Sequence, residues 1–104
     1  MFKKLQRLME TEKDESRLWT EFYSELERHE YLDSDYLEHT RNANINEAMK
    51  EIDRLSFEEC CTWLTWILRG ERFSAGLFGK NISNGNVKAL LNQAEETCWN
   101  SSKG

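Results

Sequence analysis

Residues 56–69 read SFEECCTWLTWILR, and this stretch limits the possible folds more than any other. Ser56 followed three residues later by Glu59 has the form of a capping box. In that motif the serine oxygen accepts from a free backbone amide and the glutamate reaches back to the serine amide, so a helix begins there. Its body places Cys60, Cys61, Trp63, Leu64, Trp66, Ile67 and Leu68 around most of the circumference. A helix with so little polar face belongs in the middle of a fold, wrapped by others.

The neighbouring segments supply suitable wrappers. Leu18, Trp19, Phe22 and Leu26 fall on one helical stripe with Tyr23 at its edge, which predicts a helix over 18–31. Ile45, Ala48, Met49, Ile52 and Leu55 predict another over 45–55, starting near Asn44. Val87, Leu90, Leu91, Ala94 and Cys98 predict a third over 86–98, capped by Asn86. Phe2, Leu5, Leu8 and Met9 mark a short amphipathic helix, and the polar interval Glu10 to Arg17 bends or exposes it, so residues 1–16 are expected as a loosely attached element. Asp33, Ser34, Asn42, Asn44 and Asn46 compete for local backbone hydrogen bonds, which predicts a helical turn around Tyr36 to His39 and then a loop. No strand pattern and no repeat appears, and proline, the commonest helix breaker, is absent. The expectation is an all-α single domain over 1–104, a bundle of five to seven helices around the central apolar helix at about 57–69, with 100–104 a frayed tail.

Charge divides unevenly along the chain. Residues 1–59 hold nine Lys/Arg and sixteen Asp/Glu, and residues 60–104 hold five and three, so −7 and +2 make up the net −5. An acidic chain has no general attraction to nucleic acid. There is no apolar run of signal-peptide or membrane-spanning length, which predicts a cytoplasmic protein with no membrane partner. Cys60, Cys61 and Cys98 are an odd number with an adjacent pair, the spacing of neither a zinc site nor a disulfide framework, and are expected as free thiols.

Chemical motifs are scarce. His29 and His39 have no ligand at metal-binding spacing. The Gly79-Lys80 pair lacks a phosphate loop's partners, since Ser74 stands where a glycine is needed and Asn81 where a hydroxyl is needed. Gly76-Leu77-Phe78-Gly79 has the letters of a nucleic-acid clamp, but its apolar middle pair suits a core better. No catalytic residue, metal or cofactor is expected.

The most distinctive segment is RGERFSAGLFGKNISNG, residues 69–85. Gly70 and the pair Asn84-Gly85 are helix stops. Between them Phe73, Leu77, Phe78 and Ile82 share a stripe, so residues 74–82 are expected as a short helix that tolerates Gly76 and Gly79. Arg69, Glu71, Arg72, Ser74, Lys80, Asn81, Asn84 and Asn86 gather at this junction as candidate binding residues. Arg69 and Arg72 can form an anion fork, with free amides at a helix start near Ser74 aimed at the same anion. Alternatively the two arginines tie the junction together through Glu71, Glu58 or a helix C-terminus.

Residues 64–91 also resemble a known family, the DUF6508 group of uncharacterised helical proteins from bacteria and phages. Its pattern is an apolar helix, Arg-x-x-Arg-Phe, a small residue, an acid and Gly, then Gly-x-(Ile/Val)-x-x-Leu-Leu. Arg69, Arg72, Phe73, Gly76, Gly85, Val87, Leu90 and Leu91 take those places, and Ala75 stands where the acid is expected. The likeness covers about Ile45 to Leu91 and implies an all-helical domain focused on the Arg-Phe junction, with no activity attached.

These readings lead to a non-enzymatic binding or regulatory module that contacts a protein partner through its acidic half or through Trp19, Tyr23, Tyr31, Tyr36 and Trp99; the sequence also allows a homodimer. The alternative is a sensor of small anions or nucleotide phosphates at Arg69 and Arg72.

Overall fold

The computed structural model describes the backbone of residues 1–103 and the side chains of residues 1–98. The fold is all-α: α1 (Phe2–Thr11), α2 (Glu15–Arg28), α3 (Tyr36–His39), α4 (Ile45–Lys50), a 3₁₀ turn (Ile52–Arg54), α5 (Phe57–Gly70), α6 (Leu77–Ser83) and α7 (Asn86–Lys103). The capping box opens α5, with Ser56 Oγ accepting from the Glu59 amide at 3.1 Å and Glu59 Oε1 accepting from the Ser56 amide at 3.0 Å. Along α5, Cys60, Leu64, Ile67 and Leu68 are essentially sealed from water. Helices α7, α6 and α3 pack on it, while α1 bridges α2 and α7.

Two threonines on this central helix are also buried, and both are satisfied. Thr65 Oγ1 donates to the Cys61 carbonyl at 2.7 Å and accepts from the Asp33 amide at 2.9 Å, while Thr62 Oγ1 donates to Asp33 Oδ2 at 2.6 Å. They fasten the segment leading into α3 along α5. Burying them unpaired would cost about 1–3 kcal/mol each.

Several boundaries differ from the sequence expectation, for identifiable reasons. Helix α2 starts at Glu15 because the Asp14 carboxylate accepts from the amides of Ser16 and Arg17, so the polar interval before it is a cap. It ends at Arg28 instead of 31, in a Schellman arrangement: the Tyr31 amide bonds to the Leu26 carbonyl at 2.8 Å and the Glu30 amide to Glu27 at 3.0 Å. Glu30 occupies the left-handed position there, φ 60°, a place normally taken by glycine, which is why the stop is invisible in the letters. The helix expected over 45–55 tightens after Lys50 into the 3₁₀ turn, where Gln93 of α7 donates to the Asp53 and Leu55 carbonyls and draws Leu55 into the core.

The N-terminal helix is not loosely attached. Leu5 is fully buried and Phe2 nearly so, with Phe2 stacked on Tyr31 at 5.9 Å and edge-on to Phe57 at 6.1 Å. Lys4 Nζ meets Glu25 Oε1 at 2.8 Å, and Arg28 closes on the same buried carboxylate. The Lys4 hydrogen bond holds Glu25 below the usual carboxylate range; burial opposes this, and the nearby Arg28, Lys4 and His29 charges add to it. The expected fraying of 100–104 concerns residues whose side chains lie outside those described.

Candidate functional site

The α5–α6 junction is built differently from an anion fork. Gly70 does not take the left-handed conformation; it is the last residue of α5, and a Cβ there would lie 2.6 Å from Leu77 Cδ2. A side chain at this position would need the Leu77 methyl to move. Gly76 is not inside a helix but precedes α6 in the left-handed region at φ 92°, as Gly85 precedes α7 at φ 85°. The helix expected over 74–82 therefore shrinks to Leu77–Ser83. Two amides at its start are already occupied: Glu71 Oε2 accepts from Gly76 at 2.9 Å and Oε1 from Phe78 at 2.7 Å. The protein's own carboxylate sits where an anion was expected.

The arginines diverge. Arg69 turns inward, its guanidinium over the Tyr36 ring at 5.8 Å and one terminal nitrogen 3.4 Å from the Tyr23 hydroxyl, a long contact; its buried Nε has no hydrogen-bond partner. Arg72 and Lys80 are exposed, and none of the ion pairs among the described residues includes any of these three cations. Ser74 is exposed in the turn, its amide bonded to the Gly70 carbonyl at 2.9 Å. Asn81 is buried, donating to the Leu77 carbonyl and accepting from the Asn86 side chain at 2.8 Å, and Asn84 Oδ1 accepts from the Asn86 amide. These asparagines join α6 to α7. Asn86, expected as the cap of α7, is instead its first residue. The candidate set thus does not converge on one point.

What the junction does present is Phe73. Its side chain is 85% exposed, although the sequence stripe placed it inward; the left-handed Gly76 interrupts the helix between Phe73 and Leu77. The turn that carries it is fixed at both ends by Gly70 carbonyl bonds and by Glu71. The other large exposed apolar side chain among those described is Leu37, at 67%. The aromatics expected at the surface are mostly not there. Tyr36 is buried, and Tyr31 is half-buried between Phe2 and Phe57. Trp19 is half-buried and stacked on Tyr23, its Nε1 donating to the Leu68 carbonyl at 2.9 Å. The Trp99 side chain lies outside the described residues.

Glu71→Ala is expected to lower stability by about 1–2 kcal/mol, the usual range for losing a helix N-terminal cap, with faster hydrogen exchange at the Gly76 and Phe78 amides. Glu71→Gln should recover part of this.

A second constellation escaped the sequence reading. His39 Nδ1 donates to Asp33 Oδ2 at 2.6 Å, the same oxygen that Thr62 bonds, and the Asp35 amide donates to Asp33 Oδ1 at 2.9 Å. Asp33, His39 and Thr62 form one wall of a cleft of about 270 Å³, in which Tyr31, Leu32, Phe57 and buried Cys61 meet the exposed Glu30 and Glu58. Asp33 is held below the usual carboxylate range: burial pushes it up, but the Thr62, His39 and Asp35 hydrogen bonds together outweigh it. The same Asp33 bond, then its charge, raises His39. Burial pushes the Cys60 and Cys61 thiols up to about 12, so neither is a nucleophile near neutral pH. Among the described residues no three His, Cys, Asp or Glu side chains are grouped to hold a metal ion.

The signs of the two shifts define a window for stability. The His39 contribution is complete below its ordinary value of 6.5 and fades as pH rises through the raised value. The Asp33 contribution is complete above 3.8 and fades as pH falls through the lowered value. Urea midpoints measured from about pH 3 to about pH 9 should therefore carry a contribution from this pair that is greatest between those ordinary values. His39→Asn should remove the upper decline attributable to the pair.

With this geometry in hand, the family relation can be stated. Residues 6–99 match a family described as "Family of unknown function (DUF6508)". The chain belongs to that family. The match extends on both sides of the 45–91 segment where the resemblance was read, taking in α2 and most of α1 and α7. No curated protein and no solved structure matches the chain at a significant level. No helix among the described residues is long and apolar enough to cross a membrane.

Proposed function

We propose that this DUF6508 chain is a non-enzymatic binding module, with a regulatory role, that docks on a protein partner through Phe73. The observation that carries the reading is a phenylalanine 85% exposed on a turn held by Gly70 carbonyl bonds at one end and by the Glu71 carboxylate at the other. Burying such a ring is worth roughly 1.5–3 kcal/mol, and a rigid anchor loses little entropy when it binds. Arg72 and Lys80 stand nearby in sequence and are exposed, while of the two carboxylates at the junction Glu71 is engaged by amides and Glu15 lies against Gly79 of α6, so Arg72 is the charge next to the anchor. A partner with an apolar pocket and a carboxylate rim fits it. A cytoplasmic setting belongs to this reading, supported by three free cysteines, two of them adjacent.

The test is affinity capture with immobilised wild-type protein and Phe73→Ala, the bound proteins being identified by mass spectrometry. A partner retained by wild type, released by Phe73→Ala and weakened by salt supports the reading, provided the variant's thermal midpoint is unchanged. Equal capture by both proteins refutes it.

The anion-sensor reading keeps one supporting observation, the buried Arg69 Nε without a partner. It loses the Gly76 and Phe78 amides to Glu71. Thermal shift against phosphate and nucleotides separates the two, because a ligand at about a hundred times its dissociation constant adds about 2.7 kcal/mol.

A further inference from the structure

The Phe73 turn and the acidic cleft lie at opposite ends of one helix. Phe57 is the first residue of α5 and lines the cleft, whereas Phe73 stands three residues beyond Gly70, the last. The near edge of the cleft, at Thr62, is about 12 Å along the helix from Gly70 at 1.5 Å per residue, and the Gly70 and Glu71 bonds hold the Phe73 turn beyond that end, so the chain does not place its own ring in its own cleft. The two features are nonetheless complementary. The cleft has an apolar base of Tyr31, Leu32, Phe57 and Cys61, and polar walls of Thr62, Glu30, Glu58 and the Asp33–His39 pair, so three carboxylates face one imidazole that already engages Asp33. Its volume of about 270 Å³ falls just below the roughly 300–1,000 Å³ usual for small-molecule sites, which suits one or two side chains better than a cofactor. Phe73 with Arg72 beside it offers a ring and a cation in that order.

We infer that the occupant of the cleft is the Arg72-Phe73 knob of a second copy of this chain, with the phenyl ring on the apolar base and the guanidinium against the Glu58 and Glu30 carboxylates. This deepens the proposed function and rests on it, naming one partner for the Phe73 anchor. Knob and hole are different surfaces, so the contact is satisfied either by a two-fold dimer in which each knob enters the other copy's cleft, or by head-to-tail addition that leaves one free knob and one free cleft at the ends. One anchor and a small rim bury far less than the roughly 800 Å² per partner of a stable complex, so association is weak and reversible. Opposite charges on the two surfaces make it weaker still in salt.

The experiment is sedimentation equilibrium of the full chain from micromolar to millimolar concentration at low and high salt, with Phe73→Ala, Arg72→Glu and Glu58→Lys alongside. The expected result is an average mass that climbs above 12.4 kDa with concentration at low salt, and a constant monomer mass for each variant alone. An equimolar mixture of Arg72→Glu and Glu58→Lys should associate again, since each knob then meets a cleft of opposite charge. All three positions are exposed or at the cleft rim, so circular dichroism should show folded variants. A wild-type mass fixed at the monomer, association indifferent to Phe73→Ala or Glu58→Lys, or a mixture that stays monomeric each overturns the inference. Glu58→Lys also separates this failure from the other: if wild type stays monomeric yet this variant still captures a partner that Phe73→Ala releases, self-association falls and the binding-module reading stands.

Discussion

Phe22→Ala lowers the unfolding free energy by about 3–5 kcal/mol, the range for truncating a fully buried aromatic ring. Phe22 is fully buried on α2 and meets Phe78 of α6 edge-to-face, ring centres 5.6 Å apart and planes at 72°. Removing it deletes the ring's own burial, leaves a void, and takes away the aromatic partner of Phe78, itself 1% exposed. Helix α6 has seven residues, too few to persist in water without a packed face. The loss therefore extends from the core to the junction that carries Phe73. Against the 5–15 kcal/mol typical of a domain, the variant should be folded but fragile. Urea unfolding followed by tryptophan fluorescence reads it as a lower midpoint with little change in slope. A midpoint within error of wild type would mean that α2 and α6 do not pack as described.

That prediction was open to sequence reading, because Leu18, Phe22 and Leu26 repeat at the helical period and all three are buried. Periodicity identifies a buried face whenever the helix is continuous. The same rule misplaced Phe73, since the spacing 73, 77, 78 has meaning only if the helix runs unbroken across Gly76, which is left-handed. A glycine in the letters permits both outcomes. Gly70 lies close against Leu77 while Gly76 and Gly85 serve backbone conformation, and only the tertiary neighbours distinguish them. Glu71 was visible as one charge among several at the junction, but its role as the cap of a helix that starts six residues on, at Leu77, follows no short spacing pattern. The Asp33, His39 and Thr62 cluster was harder still. Asp33 and His39 are six residues apart, His39 being the last residue of α3, and Thr62 reaches Asp33 across 29 positions. The one signal available was the presence of two threonines on a helix otherwise apolar on most sides, polar groups that require partners once buried.

Leu5→Ala should lower stability by about 2–5 kcal/mol, whereas Lys3→Ala, at an exposed position of the same helix, should change it by less than about 0.5 kcal/mol. The contrast tests whether α1 belongs to the core. Leu5 is fully buried, Phe2 completes an aromatic group with Tyr31 and Phe57, and Gln6 Nε2 donates to Asn92 Oδ1 of α7 at 2.6 Å. A ten-residue helix gains little from its own backbone bonds, so its order depends on these contacts, and they depend on it. Tyr31 and Phe57 also line the proposed cleft. Loosening α1 removes Phe2 from behind both, so Leu5→Ala should weaken self-association at concentrations where the chain is still folded. Native-state hydrogen exchange gives the independent reading. Protection of the α1 amides comparable to that of α5 is expected if the helix opens only with the whole molecule. Exchange orders of magnitude faster in α1 would mean that the helix detaches alone, and the cleft would then lack a fixed wall.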